Sequence, residues 1–248
     1  MTQTQPSDQL EPMPTDWQRA LAIVAHPDDL EYGAASAIAS WTAAGREVAY
    51  VLVTRGEAGI DGMPPEEAAK IREREQIASA AVVGVKEVEF LDHRDGVIEE
   101  GLRLRRDLAR AIRRYRPELV ITLNHHDGWD GGGWNTPDHR AVGRAVLDAT
   151  GDAGNRWIFP ELVSEGFEPW NGVRWVAVAF SARPTHAADI TDWLDRGIAS
   201  LAEHRAYIAA LSDKDPVEYA REFLTENADA TAKRFGGRRA VPFELFPR

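Results

Sequence analysis

The chain has 248 residues, 44% of them hydrophobic, which is enough to bury one substantial core. Its formal net charge of -11, from 29 Lys and Arg against 40 Asp and Glu, opposes binding to nucleic-acid backbones or anionic membranes through bulk electrostatics. The sequence has no cysteine, which excludes disulfides, thiolate ligands and a cysteine nucleophile, so any metal must be held by His and carboxylates.

Residues 1–16 are polar, acidic and proline-bearing, and lack the basic-then-apolar order of a signal peptide. They predict a flexible N-terminal tail ahead of a single domain over 17–248. No stretch approaches the roughly 18 uninterrupted apolar residues of a membrane span, and a cytoplasmic, soluble protein is expected. Residues 20–25 (ALAIVA) suit a buried parallel strand that Pro27 ends. Residues 32–44, with Ile38 and Trp41 at helical spacing and Gly45 as a stop, predict a helix, and 47–54 (EVAYVLVT) a second strand. Pro64-Pro65 opens a long helix that ends near Gly84. A strand over 88–91, a basic-faced helix over 102–115 and a strand over 119–123 (LVITL) follow. Residues 124–136 (NHHDGWDGGGWNT) form a glycine-rich loop suited to wall a site, and a helix runs from Arg140 to Ala149. A strand over 173–180, a helix over 191–211 and a last helix over 216–235 complete the pattern. This alternation predicts an α/β fold with a mostly parallel, doubly wound sheet.

Two strand ends carry the chemistry. His26-Pro27-Asp28-Asp29 follows the first strand directly, and an imidazole with two carboxylates can supply two zinc ligands and leave one carboxylate for proton transfer. Pro137-Asp138-His139-Arg140, after the 119–123 strand, offers a third ligand. Such ends converge in the crevice beyond the carboxyl edge of a parallel sheet. A dinucleotide site would instead need a GxGxxG loop after the first strand, and the carboxylates there would repel phosphates.

With Ala25-His26-Pro27-Asp28-Asp29-Leu30-Glu31 and Pro137-Asp138-His139-Arg140-Ala141-Val142-Gly143, the sequence resembles the PIG-L / LmbE-like family of zinc-dependent N-acetylglucosaminyl deacetylases. The resemblance extends to residues 54–59 (TRGEAG), Arg72-Glu73-Arg74-Glu75, Arg94-Asp95-Gly96 and Ala202-Glu203-His204, over about residues 20 to 210. It implies a Rossmann-like three-layer α/β/α sandwich. It further implies one Zn2+ per chain, with another divalent ion such as Fe2+ compatible, on His26, Asp29 and His139. Asp28 would be the general base, and Arg72 and Asp95 would contact hydroxyls of an amino-sugar substrate. A homo-oligomer is compatible with the resemblance.

Each assignment has a plainer counterpart. Asp28 could cap a helix at Leu30, and Asp138 could cap the Arg140 helix rather than orient a ligand imidazole. Arg72 and Glu75 could form a helical ion pair. Glu31 could be a carboxylate behind the metal ligands or the acidic first turn of a helix. Trp129 and Trp134 could stack on a pyranose or cover the loop without a ligand. Where many family members carry a His three positions before the second ligand His, this chain has Thr136, which cannot serve as an acid. By resemblance, His204 falls at the position of a late family histidine and is the expected donor, with His125 and His126 as alternatives. The activity implied is N-acetyl or N-acyl removal from an amino sugar or its conjugate. The alternatives are an amidase acting on a thiol-sugar conjugate or antibiotic intermediate, and a metal-dependent sugar-binding protein without catalysis.

Overall fold

The computed structural model describes residues 9–248. The predicted strands form as β2 (Arg19–Val24), β3 (Glu47–Leu52), β4 (Glu87–Phe90), β5 (Leu119–Leu123) and β6 (Trp175–Ala179), all paired in parallel in the order β4-β3-β2-β5-β6. This is the doubly wound order, and its direction reverses between β2 and β5, where the ends of neighbouring strands leave a crevice. Every residue of β5 is buried, as a strand covered on both faces requires.

Alternate strand residues feed two separate cores, so the sheet is the middle of three layers. Ala22, Val24, Tyr50, Leu52, Ile121 and Leu123 face one side, covered by α2 (Ala35–Ala43), α7 (Leu194–Leu201) and α9 (Pro216–Ala232). Leu21, Ile23, Val51 and Val120 face the other, covered by α4 (Leu102–Tyr115) and α5 (Pro137–Gly154), with Leu162 of the short α6 (Pro160–Ser164) in the same cluster. At one edge α3 (Pro65–Val82) packs against α7 and against α8 (Arg205–Leu211). No helix among the described residues is long and apolar enough to cross a membrane.

Several features depart from the sequence reading. Part of the expected tail is structured: β1 (Glu11–Pro12) pairs with β7 (His186–Asp189), Leu10 and Met13 are buried, and Met13 N–H donates to Ala187 O. Residues 1–8 of that tail lie outside the described residues. β8 (Ala240–Pro247) was not anticipated. It runs antiparallel between β6 and β7, and its Pro242 and Pro247 argue against a strand by propensity. The first helix begins earlier, as α1 (Asp29–Gly33), and breaks at Ala34 before α2. The helix expected over 191–211 is two helices, interrupted around His204.

Candidate metal centre and active site

Pro27 turns the chain out of β2, and Asp28 then takes a left-handed conformation (φ 86°), uncommon for a side chain other than glycine but tolerated by Asp. Asp28 stands at the N-terminal boundary of α1 without capping it: its side chain accepts no cap hydrogen bond. The turn sends Asp28 and Asp29 to different tasks. Asp29 Oδ2 accepts from the His26 backbone N–H (2.9 Å) and lies 3.6 Å from His26 Nδ1, while its Oδ1 is 3.0 Å from His139 Nε2. His26, Asp29 and His139 each present one ligand atom, all within 4.8 Å of one another, so they could hold a metal ion. Two imidazoles and one carboxylate are a donor set suited to a catalytic divalent ion with an open position.

The hydrogen bonds behind both imidazoles fix which nitrogen is free. Asn135 Nδ2 donates to Asn124 O (2.8 Å) and His126 O (2.9 Å), which leaves its Oδ1 to accept from Thr136 N–H (2.8 Å) and His139 Nδ1 (3.0 Å). His139 Nδ1 therefore donates to Asn135, which leaves Nε2, 3.0 Å from Asp29 Oδ1, as the nitrogen that faces the carboxylate and could take a ligand position. His26 Nε2 faces Asp138 Oδ2 (3.2 Å) and Asp95 Oδ1 (3.1 Å), both acceptors, so its Nδ1 is the nitrogen left for a ligand. Asp138 thus orients His26 rather than its own neighbour His139, and it is anchored by Gly96 N–H (2.7 Å) and Ile98 N–H (3.1 Å). It does not cap α5. Thr136 does, its hydroxyl accepting from His139 N–H (3.2 Å). Replacing Asn135 by Leu is expected to weaken metal binding by about 10- to 100-fold, because His139 loses the bond that sets its tautomer. Metal titration by calorimetry, with an unchanged value as the contrary result, would decide this.

Charge is concentrated here. Burial disfavours the Asp29 carboxylate, yet His139 and His26 hold it below the usual range. Burial likewise opposes charge on His26, but the Asp29 charge and the bonds to Asp138, Asp29 and Asp95 raise it well above an ordinary histidine. Protons therefore compete for His26, and metal affinity should fall on acidification from above the usual histidine range. Asp28 behaves differently: burial pushes its carboxyl up to about 6, with Arg72 opposing and the Asp29 charge assisting. Its Oδ2 is buried without a hydrogen-bond partner.

Arg72 is not paired with Glu75, whose Oε1 accepts from Ala206 N–H. Its guanidinium is buried, donates to Pro27 O (2.7 Å) and Gly56 O (2.9 Å), and stands 3.3 Å from Asp28 Oδ1. Gly56 and Gly59 permit this approach, since a Cβ at either would lie 2.3 or 2.2 Å from the guanidinium. Arg72 and Asp95 both line a cavity of about 700 Å³ that opens over His26, Asp28, Asp29 and His139, but both are largely spent on protein partners. Asp95 Oδ2 also accepts from Ala58 N–H (2.8 Å).

Two expected substrate or donor residues are placed elsewhere. Trp134 is exposed, packs under the Arg140 guanidinium and does not line the cavity; Trp129, 5.6 Å from the His139 ring, does. His204 is fully buried outside the cavity, so it cannot touch a substrate held there. Its Nε2 is 3.4 Å from Glu31 Oε2, within ion-pair range but without hydrogen-bonding geometry, and neither ring nitrogen has a hydrogen-bond partner among the described residues. His204→Ala is accordingly expected to lower the melting temperature and to leave kcat per folded molecule within about threefold; a larger kcat loss in a stable variant would restore it to the reaction. His126 bonds Glu244 Oε2 (2.7 Å), which also accepts from Ser181 Oγ, and this ties the loop to β8. Burial lowers His125 to about 4, so it is neutral.

The sequence reading missed Asn135, Gln76 and Tyr207. Gln76 is wholly buried in the charged helix α3, accepts from Asp28 N–H (2.9 Å) and donates to Glu31 Oε1 (2.9 Å), which places Glu31 behind the metal ligands. Tyr207 lines the cavity with its ring 4.1 Å from the Arg72 guanidinium. Only the apolar-face position of a Gln, and an Asn at a strand-to-helix turn, hinted at the first two.

A doubly wound α/β protein with a His-Asp-His corner at its strand switch point is the class defined by these features. A profile of the PIG-L family, described as GlcNAc-PI de-N-acetylase, matches residues 21–150, and the chain belongs to that family. It is 28% identical over 193 residues to diacetylchitobiose deacetylase of Thermococcus kodakarensis, covering 77% of this chain and 70% of that one. It is 31% identical to 1D-myo-inositol 2-acetamido-2-deoxy-alpha-D-glucopyranoside deacetylase of Nakamurella multipartita, spanning 53% of this chain and only 54% of that relative. The fold matches N,N'-diacetylchitobiose deacetylase from Pyrococcus horikoshii, solved with its inhibitor MPG, with a TM-score of 0.82 at 25% identity, over 94% of this chain and 85% of that one.

Proposed function

We propose that the protein is a zinc-dependent hydrolase that removes an N-acyl group from an amino sugar or amino-sugar conjugate. The observation that carries this reading is the convergence of His26, Asp29 and His139 beside Asp28, whose Oδ2 is buried with no hydrogen-bond partner among the described residues. The named activities of the relatives support the same class of substrate.

A divalent ion held by His26, Asp29 and His139 would polarise the amide carbonyl and acidify a water beside it. Asp28 Oδ2 would accept a proton from the attacking water, while Arg72, 3.3 Å from Oδ1, holds the carboxylate in place. Burial raises this carboxyl to about 6 in the metal-free protein, and a divalent ion beside it would lower it again, so it is ionised as a base at neutral pH and passes the proton on to the leaving amine. Burial and the Asp28 charge raise the Tyr207 phenol, so it stays protonated and can donate to the negative oxygen of the tetrahedral state. This assigns to Tyr207 the donor role expected of His204. Tyr207→Phe is expected to lower kcat by about 10- to 100-fold with KM little changed; an unaltered kcat would exclude it.

The direct experiment is acetate release from N-acetylglucosamine, N,N'-diacetylchitobiose and N-acetylglucosaminyl conjugates by zinc-loaded protein, followed by mass spectrometry. Binding of these sugars without release would mark a sensor rather than an enzyme. Neither binding nor release would remove the reading.

A further inference from the structure

We infer that the cavity is built for an N-acyl group longer than acetyl, an alkyl chain lying between α9 and the sheet, an inference that rests on the proposed hydrolase reading and names its substrate more narrowly. The cavity has two unlike ends. Asp28, Asp95, Thr136 and Asp130 line the end with the metal ligands, where sugar hydroxyls would find partners. From His139 the wall continues as a file of rings: Trp129 at 5.6 Å, Phe180 at 6.2 Å from Trp129, Phe223 at 6.0 Å from Phe180, and Tyr32 at 5.0 Å from Phe223. Beyond the rings the lining is Leu194, Ile190, Leu224 and Ala228, buried side chains of one core, with the buried Ala240 of a smaller neighbouring cluster.

Protein interiors contain few voids larger than a water molecule, so an open space of about 700 Å³ reaching into a core is not a by-product of packing. Sugar hydroxyls would be desolvated against these apolar side chains, although Arg234 and Ser36 also line the cavity. Two of the polar groups there are already spent: Asn227 Nδ2 donates to Phe223 O (2.8 Å) and Thr231 Oγ1 to Asn227 O (2.9 Å). An alkyl chain meets neither difficulty. At roughly 30 Å³ per heavy-atom group, the space left after a sugar fills the mouth admits a chain on the order of six to ten carbons. The carbonyl of such an amide would lie at the metal ligands, between the two ends, with the amine product leaving through the polar mouth and the fatty acid through the same opening.

The test is a series of N-acylglucosamines from acetyl to dodecanoyl with zinc-loaded protein. Full burial of each methylene corresponds to roughly a fourfold gain, so kcat/KM is expected to rise at least 100-fold from acetyl to octanoyl and then to level off. Ala228→Phe and, separately, Leu224→Trp should abolish that rise and leave the N-acetyl rate within about twofold. Calorimetric titration with octanoate, using acetate as the control for carboxylate binding at the metal, reads the chain independently of turnover. Octanoate should bind at least tenfold more tightly than acetate, and should lose this advantage in a plugged variant. A flat chain-length profile together with equal binding of the two acids overturns the inference and leaves the hydrolase reading intact. Preferential octanoate binding with no amide cleaved fails the hydrolase reading and leaves the channel. Should the plugged variants not fold, the parent profile and the octanoate-to-acetate ratio decide alone.

Discussion

Alanine at His139 is expected to strip the protein of its metal and of nearly all activity. The fully liganded chain should hold about one zinc-type ion, and loss of one of three ligands leaves two, too few to retain it through dialysis. His26→Ala should behave alike. Asp29 explains why the cost extends to the fold. Its buried carboxylate is held below the usual range by His139 and His26, so the stability it contributes is present above the unfolded pKa and lost as pH falls through the depressed one. Without His139 that charge loses a partner at 3.0 Å, and the variant should unfold at a higher pH on acid titration than the parent protein. Full metal occupancy in both His variants, measured by atomic emission, would remove the site.

Asp28→Asn is expected to retain the metal and the substrate affinity but to lower kcat by a factor on the order of 100 to 10,000, as for the loss of a general base. It carries a second expectation of opposite sign. Asp28 is raised to about 6 in the fold, so below that pH the folded state binds the proton more tightly than the unfolded chain does. Stability therefore declines as pH rises from the unfolded value through about 6, and at neutral pH the ionised side chain costs on the order of 1 to 3 kcal/mol in the metal-free protein. Removing the charge should make the metal-free Asn variant more stable at pH 7 than the parent, with the difference vanishing near pH 4. Metal lost from Asp28→Asn and kept in Asp29→Asn would reverse the roles of the two carboxylates.

Acidification should act on activity through two groups. Protonation of Asp28 removes the base, and protonation of His26 displaces the ion. Excess zinc should rescue the second effect and leave the first, so rates measured against pH at two zinc concentrations separate them.

The strand ends and their candidate metal-holding residues were legible in the chain because they are local. ALAIVA and LVITL are continuous apolar runs, and a proline with His and Asp directly beyond or shortly after them can only sit at the carboxyl edge of the sheet. The β-α-β alternation likewise specified a mostly parallel, doubly wound sheet, as found from β4 to β6. What the chain could not show was which side chains face each other across a long sequence interval. Asp138 was expected to serve an imidazole, but the one it serves is 112 positions away, and only the packing of α5 against the crevice decides that. Trp129 and Trp134 are indistinguishable in a glycine-rich loop until the bridge between Gly128 and Trp134 turns one ring inward and the other out. His204 matched a recurrent position in sequence, yet the break between α7 and α8 buries it behind Glu31 and brings Tyr207 to the cavity. β8 has the same origin: its prolines speak against a strand locally, and pairing with β6 and β7 overrides them. Ligand identity is thus a property of short segments whose backbone is forced by hydrophobic patterning and proline. Tautomer, donor and cavity depth depend on contacts between distant segments, which exist only once the layers have packed.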